Sequence, residues 1–280
     1  MSGLQRPQSD DLEAIAKRLR HHIVVSTTEA GSGHPSTSLS MVEVITTLYF
    51  GGVLRYDPSD PTNPNRDRFI LSKGHGAPAL YAVLAEAGYF PTEELPSLRK
   101  LGSMLEGHPN MCRVPGVEAS TGSLGQGLSL GIGHAHGVRL DGSDARVYVM
   151  VGDGESEQGQ VWEAAMHAGN HGLDNLTLIV DRNRHQQTGA VSDVQPLDPL
   201  DQKFEAFGWA TRTIDGHSLS EVADALEWAR TTQGRPQVII ANTVKGKGVS
   251  FLEAREADYH GKPLPQDELP HALEEIGASV

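Results

Sequence analysis

Residues 152–154, Gly-Asp-Gly, follow a short run of β-branched and apolar residues and precede a helical pattern. Such a loop lies at the carboxyl end of a strand, where open α/β sheets bind their ligands. Backbone N–H groups of the glycines can receive phosphate oxygens near a helix N-terminus. Asp153 suits Mg²⁺, which prefers one or two carboxylates together with phosphate oxygens. The plainer alternative is an acidic turn that caps the following helix.

Asn183 comes just after the next apolar run, residues 176–180, with 28 residues between it and Gly154. Successive parallel strands place their carboxyl ends side by side, so Asn183 can lie near Asp153. An amide oxygen and a carboxylate are both hard ligands, and they can share one magnesium ion with a diphosphate. The alternative is that Asn183 only forms a turn. A dinucleotide site is disfavoured because the loop is not GxGxxG and no acidic ribose ligand follows it.

Histidines adjoin glycines unusually often in this chain. It contains 13 histidines and 31 glycines. The histidines next to a glycine are His34, His75, His108, His134, His136, His171, His217 and His260. Glycine lets the backbone turn sharply and approach a ligand closely, so this pattern indicates a polar site built from loops.

The elements that must position these residues alternate between strands and helices. Short β-branched runs occupy residues 68–72, 146–151, 176–180, 209–214 and 237–243. Helical patterns occupy residues 11–28, 38–50, 77–88, 91–101, 127–140, 158–170, 197–207 and 218–232. Apolar strands in this alternation predict an α/β fold with a mainly parallel sheet covered by helices on both faces. We expect residues 1–280 to form a single domain, with 250–280 as a C-terminal, partly extended arm.

Composition excludes several classes of function. The net charge of −13 disfavours binding to nucleic acid or to a membrane surface, since both require a basic face. A single cysteine, Cys112, excludes a disulfide framework and a thiolate zinc site. No apolar run approaches the roughly 18 residues of a membrane span, and the first 20 residues lack a signal-peptide core. We therefore expect a cytoplasmic protein.

Several motifs resemble those of the thiamine-diphosphate enzymes and, among them, transketolase. They cover roughly residues 10–265 and occur in the family's order. The motifs are GSGHPS (31–36), DRFILSKGHGAPALYAVL (67–84), EGHP (106–109), GVEASTGSLGQGLS (116–129), GDG…N (152–183) and TVKGKGVSFLE with YHG (243–261). The resemblance implies the diphosphate-binding domain of a transketolase.

The resemblance also implies a role for individual residues. Mg²⁺, or another divalent cation such as Ca²⁺ or Mn²⁺, would be held by Asp153, the Asn183 side chain and the main-chain carbonyl of His185. Contacts to thiamine diphosphate are implied for His75, Gly122, Ser123, Leu124, Gly154, Asn183 and His260. Catalytic positions in the substrate channel are implied for His34, His108 and His260. The histidines on helical patterns are expected to be structural; they are His134, His136, His167 and His171.

A partner chain is implied as well. In the family, the glutamate that activates the cofactor and the residues that hold the sugar phosphate belong to a pyrimidine-binding domain, for which there is no room after residue 265. We therefore expect the N-terminal subunit of a split transketolase, active only with a C-terminal subunit in an α2β2 assembly. Its reaction would transfer a two-carbon ketol unit from a ketose or ketose phosphate to an aldose or aldose phosphate, as in the pentose phosphate pathway.

Two departures from the family pattern affect this comparison. Gln158 stands before Gly159 where the family usually has a glutamate that takes part in subunit contacts and in proposed proton communication between sites. Glutamine can donate and accept hydrogen bonds but cannot exchange a proton near neutral pH. Arg184 and His185 make the loop after Asn183 bulkier and more basic than usual, although only the His185 carbonyl is needed for the metal.

Two other functions are disfavoured by the motifs. His34-Pro35 and the EGHP motif argue against another type of thiamine-diphosphate enzyme, such as a deoxyxylulose-phosphate synthase or the α subunit of a 2-oxoacid dehydrogenase. A non-catalytic chain that binds the cofactor and acts as a scaffold is disfavoured by the presence of His75, Asp153 and Asn183.

Overall fold

A parallel sheet forms the centre of the molecule. The computed structural model describes residues 4, 6–9, 11–254 and 260–277. The strands within these residues are β1 (Arg68–Leu71), β2 (Val147–Gly152), β3 (Leu176–Arg182), β4 (His185–Gln186), β5 (Gly189–Ala190), β6 (Ala210–Asp215) and β7 (Gln237–Asn242). Five of them form one sheet in the order β1-β2-β3-β7-β6, in which every pair is parallel. β4 and β5 form a small antiparallel hairpin. The five predicted strands are confirmed.

Helices cover both faces of this sheet. The α-helices of the described residues are α1 (Leu12–Ala30), α2 (Pro35–Leu39), α3 (Val42–Phe50), α4 (Ala77–Glu86), α5 (Gln126–Leu140), α6 (Gly159–Asn170), α7 (Val191–Val194), α8 (Leu200–Ala206), α9 (Leu219–Thr231), α10 (Ser250–Glu253) and α11 (Leu269–Ile276). Side chains of Asp11 and Ser218 cap the N-termini of α1 and α9.

Alternation along each strand separates two hydrophobic cores. On β2, Tyr148 and Met150 pack with α1, α3, α4 and α9. Val147, Val149 and Val151 point to the opposite face and pack with α5, α6 and α8. Successive side chains of a strand point to opposite faces, so a strand buried on both sides is apolar throughout. The predicted fold class, a parallel sheet covered on both faces, is confirmed.

The structure differs from the predicted helices in two places. The helix expected over 38–50 is two helices, α2 and α3, separated at Ser40-Met41. The helix expected over 91–101 is a 3₁₀ segment, Thr92–Ser97, because Pro96 cannot continue an α-helix.

Residues 250–280, expected to be a partly extended arm, contain helices α10 and α11 within their described part. Ala272 and Ile276 of α11 are buried in the core that contains α1. The spacing of these two residues is one helical turn, so a helix buries both on one side. No helix in the described ranges is long and apolar enough to cross a membrane.

Candidate active site

A cavity of about 370 Å³ lies at the carboxyl ends of β2 and β3. Its wall contains ten of the eleven residues that the sequence predicts for the site. They are His34, His75, His108, Gly122, Leu124, Asp153, Gly154, Asn183, His185 and His260. The eleventh, Ser123, is exposed beside the cavity, where its hydroxyl accepts a hydrogen bond from the Gln126 amide at 3.2 Å.

The edge of the sheet brings Asp153 and Asn183 together. Gly152 of β2 is paired with Asp181 of β3, so the two following loops begin side by side. One carboxylate oxygen of Asp153 accepts a hydrogen bond from the Gly154 N–H at 2.8 Å, and the other accepts one from the Arg184 N–H at 2.6 Å. The Asp153 side chain therefore ties the loop that contains Asn183 to the Gly-Asp-Gly loop.

The donors in this corner fit a divalent cation. Asp153 and Asn183 are 3 % and 5 % exposed. Burial and, next, the neighbouring Asp181 carboxylate raise the pKa of Asp153 to about 6. A cation bound here would offset both effects. The carboxylate of Asp153, the amide oxygen of Asn183 and the carbonyl of His185 are hard oxygen ligands of the kind that Mg²⁺ prefers.

Glycines allow the backbone loops around the cavity to approach one another. A Cβ atom on Gly74 would lie 2.7 Å from the carbonyl carbon of Thr121, so the loop after β1 packs directly on the loop before α5. A Cβ atom on Gly154 would lie 2.8 Å from the Cβ of Gln186. Larger residues at these positions would force the loops apart, which explains the glycines near the site.

Three histidines from distant parts of the chain meet in the cavity. The ring centroids of His34 and His75 are 5.2 Å apart, and that of His260 lies 5.5 Å from His34 and 5.7 Å from His75. His108 is exposed. Its ring lies next to Gly122, since a Cβ atom on Gly122 would be 3.0 Å from it. The predicted grouping of His34, His75, His108 and His260 at one cavity is therefore observed.

These imidazoles are neutral at pH 7. Burial and, next, the Arg99 guanidinium lower the pKa of His34 to about 4, and burial with the Lys245 ammonium lowers that of His260 to about 3. Burial also holds the pKa of His75 well below its ordinary value. The buried Nδ1 of His34 has no hydrogen-bond partner among the described residues. Neutral imidazoles can both donate and accept, as recognition of hydroxyl and carbonyl groups requires.

A buried ion pair at the cavity wall was not predicted from the sequence. The Lys73 ammonium contacts the Asp181 carboxylate and donates a hydrogen bond to the Thr37 carbonyl at 3.0 Å. Burial by itself would raise the pKa of Asp181, but Lys73 and hydroxyl donors, among them Ser40 at 2.6 Å, hold it below its ordinary value. The sequence did contain a signal for this pair, because Lys73 directly follows the predicted strand 68–72 and Asp181 directly follows the apolar run 176–180.

Glu155 and Lys245 also support the site without having been predicted. The buried Glu155 carboxylate accepts hydrogen bonds from the Ser72 hydroxyl at 2.6 Å, the Gly125 N–H at 2.9 Å and the Gly152 N–H at 3.0 Å. It therefore joins the ends of β1 and β2 to the start of α5. The fully buried Lys245 ammonium lies 2.7 Å from the Nδ1 of His260, the atom to which it can donate.

Comparisons with known proteins show the family of this chain. The family model described as "Transketolase, thiamine diphosphate binding domain" matches residues 12–279. The chain is 46 % identical to the 6-deoxy-6-sulfo-D-fructose transketolase subunit SqwG of Clostridium sp. (strain MSTE9), over 91 % of this chain and 92 % of that protein. It is 46 % identical to an apulose-4-phosphate transketolase subunit from Actinobacillus succinogenes, over 95 % of this chain and 96 % of that one.

Longer relatives contain the same unit. Mouse transketolase is 44 % identical over all of this chain but only 45 % of its own length. The crystal structure of transketolase from Campylobacter jejuni superimposes with a TM-score of 0.89 at 34 % identity, covering 96 % of this chain and 43 % of that one. The chain thus spans less than half of these transketolases and nearly all of the two subunits. It belongs to the transketolase N-terminal, thiamine diphosphate binding domain family.

Proposed function

We propose that this chain is the N-terminal subunit of a two-chain transketolase. With its partner it transfers a two-carbon ketol unit from a ketose or ketose phosphate to an aldose or aldose phosphate through thiamine diphosphate. The observation that carries the proposal is the cavity at the ends of β2 and β3, where the cation donors and the neutral histidines lie on one wall. Coverage of two relatives named as transketolase subunits over nearly their full length supports the two-chain form.

The chain's contribution begins with the cation and the diphosphate. Asp153, the Asn183 side chain and the His185 carbonyl would hold Mg²⁺, or Ca²⁺ or Mn²⁺ in its place. Gly154 and Asn183 would contact the diphosphate, and His260 would also reach it. The rest of the cofactor would be contacted by His75, Gly122, Ser123 and Leu124. When bound, thiamine diphosphate supplies the carbanion and the electron sink for breaking and forming the carbon–carbon bond. The protein fixes its position.

The chain's histidines would orient the sugar. His34, His108 and His260 would donate hydrogen bonds to, and accept them from, the sugar hydroxyls and the carbonyl oxygen. Because the pKa values of His34 and His260 are about 4 and about 3, both rings stay neutral at physiological pH. A neutral ring can donate a hydrogen bond from one nitrogen and accept one at the other, which suits it to orient hydroxyl and carbonyl groups.

A second chain would complete the site. We propose that a C-terminal transketolase subunit carries the pyrimidine-binding domain, the glutamate that activates the cofactor and the side chains that hold a sugar phosphate. An α2β2 assembly in the cytoplasm would place this cavity at a subunit interface. The relatives named for a sulfosugar and for apulose 4-phosphate support a sugar substrate outside the common pentose phosphates as one option for the assay panel.

The test is reconstitution of ketol transfer. The chain is combined with a C-terminal transketolase subunit, Mg²⁺ and thiamine diphosphate, and transfer is measured over a panel of ketose donors and aldose acceptors. We expect turnover from the pair and none from either chain alone. Turnover by this chain alone would contradict the two-chain form, and cofactor binding by the pair without transfer of any sugar would favour a scaffold.

His34→Ala provides the internal check of the histidine roles. We expect kcat/KM for transfer to fall by about 10²-fold, because a sugar that loses this hydrogen bond is held less well in the reactive geometry. Binding of thiamine diphosphate, followed by calorimetry, should stay within about twofold of the parent chain because His34 is assigned to the sugar. An equal loss of both would show that His34 belongs to the cofactor site.

A further inference from the structure

Three histidines outside the cavity gather on the outer side of α5 and α6. His136 extends from α5, while His167 and His171 lie one turn apart at the C-terminal end of α6. One ring nitrogen from each of the three lies within 4.8 Å of the others. His167 and His171 are exposed, and His136 is partly exposed. None of them lines the cavity described above.

One pair of these nitrogens has nearly the spacing of a tetrahedral metal centre. The Nε2 atoms of His136 and His167 are 3.1 Å apart. Zinc–nitrogen bonds of about 2.0–2.1 Å in tetrahedral geometry place two ligand nitrogens roughly 3.3–3.4 Å apart. The rings of His167 and His171 are stacked with centroids 4.2 Å apart, so these exposed side chains would rotate to direct both nitrogens at one metal ion.

The surroundings of His136 favour its unprotonated form. Burial and, next, the neighbouring His167 and His171 lower the pKa of His136. Arg139 is the cation nearest to His136 on α5, and it is already engaged. Its guanidinium contacts Asp174 at 2.7 Å and donates hydrogen bonds to the carbonyls of Gly172 at 2.5 Å and His171 at 3.3 Å.

We propose that His136, His167 and His171 form a binding site for a borderline divalent cation of the Zn²⁺ type. Three imidazole nitrogens would bind the metal and leave the fourth position open to water. Hard cations such as Mg²⁺ would be excluded because they prefer oxygen ligands. The metal would clamp α5 to α6, and its site is separate from the one proposed for Mg²⁺ and thiamine diphosphate.

The test is zinc binding to the full chain without a polyhistidine tag. The protein is first saturated with Mg²⁺ and thiamine diphosphate, and Zn²⁺ is then titrated by calorimetry. We expect one Zn²⁺ per chain, at least tenfold weaker binding for His167→Ala and for His171→Gln, and unchanged binding for His134→Ala. His134 is the matched control because it lies on α5 outside the cluster.

A thermal readout separates metal binding from folding. Zn²⁺ should raise the melting temperature of the parent and of His134→Ala, and leave that of His167→Ala unchanged. Equal zinc affinity in the parent and in His167→Ala would overturn the proposal. A stoichiometry of one Zn²⁺ per two chains would also overturn it, in favour of a metal shared between copies. Neither result depends on transketolase activity, so the proposed function stands or fails separately.

Discussion

Buried charge is the residue-level feature that decides what the cavity can bind. Asp153 and Asp181 are two carboxylates at the ends of neighbouring strands, and one of them, Asp181, is paired with Lys73. Among the described residues, the hydrogen-bond donors to Asp153 are the backbone N–H groups of Gly154 and Arg184, and burial with the Asp181 carboxylate raises its pKa to about 6. A bound divalent cation would compensate the negative charge of Asp153, so affinity for the cation and for a diphosphate should be linked.

Asp153→Asn tests whether the Asp153 carboxylate binds the divalent cation. We expect affinity for Mg²⁺ with thiamine diphosphate to fall at least about tenfold, because one hard anionic ligand is removed while the side-chain shape is kept. Calorimetry of thiamine diphosphate binding at fixed Mg²⁺ measures the change. Asp141→Asn, an exposed aspartate after α5, is the matched control and should bind as the parent does. Retention of cofactor by Asp153→Asn at parental affinity would contradict the metal assignment.

The cavity histidines make a prediction about stability and pH. His34 and His260 have pKa values of about 4 and about 3 in the folded chain, against 6.5 as the ordinary value. As pH falls from about 6.5 to about 4, the unfolded state takes up protons that the folded state does not, so the free energy of unfolding should decrease. Urea denaturation without cofactor at several pH values measures this decrease.

His34→Gln should flatten that dependence because one of the two groups is removed. The curves of parent and variant should run parallel above pH 8 and diverge below about pH 6.5. A variant whose stability falls as steeply as that of the parent between pH 6.5 and pH 4 would show that His34 is not the group responsible.

At the level of elements, the close approach of α5 to β2 holds the two active-site loops in place. A Cβ atom on Gly131 would lie 2.3 Å from a methyl group of Val149, and one on Gly127 would lie 2.3 Å from the Cβ of Ser72. The backbone of helix α5 at these two glycines therefore lies directly against side chains of the sheet. Because α5 follows the loop 122–125, this contact also sets the height of that loop above the cavity.

Gly131→Ala should destabilise the fold by about 1–3 kcal/mol, since the added methyl group overpacks the contact with Val149. Gly133→Ala on the same helix meets nothing within 4 Å. It should be neutral or up to about 1 kcal/mol more stable, because alanine loses less backbone entropy on folding. Urea denaturation of both variants gives the comparison. Equal effects of the two substitutions would mean that α5 does not pack as described.

At the level of the whole molecule, this chain resembles one domain of a larger active site. The cavity is open, and its described wall contains cation donors and histidines from this chain. In the proposed two-chain enzyme, the partner would cover this cavity, add contacts to the bound cofactor and exclude water. Affinity for thiamine diphosphate should therefore depend on assembly.

We expect the chain with Mg²⁺ to bind thiamine diphosphate weakly alone and at least about tenfold more tightly with a C-terminal transketolase subunit, since a tenfold gain requires only about 1.4 kcal/mol of added contact energy. Calorimetry with and without the partner measures the gain. Asp153→Asn in the assembled pair serves as the control and should lose most of it. Equal affinity in both states would contradict a cofactor site at the subunit interface.

The sequence by itself determined the features that follow from the order of residues within an element and between consecutive elements. The apolar strand 176–180 and the loops after β2 and β3 could be predicted because parallel strands place successive carboxyl ends side by side, which brings Asp153 near Asn183. The cover of helices on both faces of the sheet could be predicted because its strands are apolar throughout. The helix expected over 91–101 was wrong because Pro96 breaks the hydrogen-bonding pattern of an α-helix.

The tertiary structure decided which of the other polar residues meet. Eight histidines adjoin a glycine, and only the resemblance to the family, not their local pattern, distinguishes the site histidines from the rest. Folding brings His34, His75 and His260 to one cavity and His136 and His171 to a separate cluster across α5 and α6. The Lys73–Asp181 pair joins residues 108 positions apart. Such contacts depend on how the layers pack, and periodicity records only which face of its own element a residue occupies.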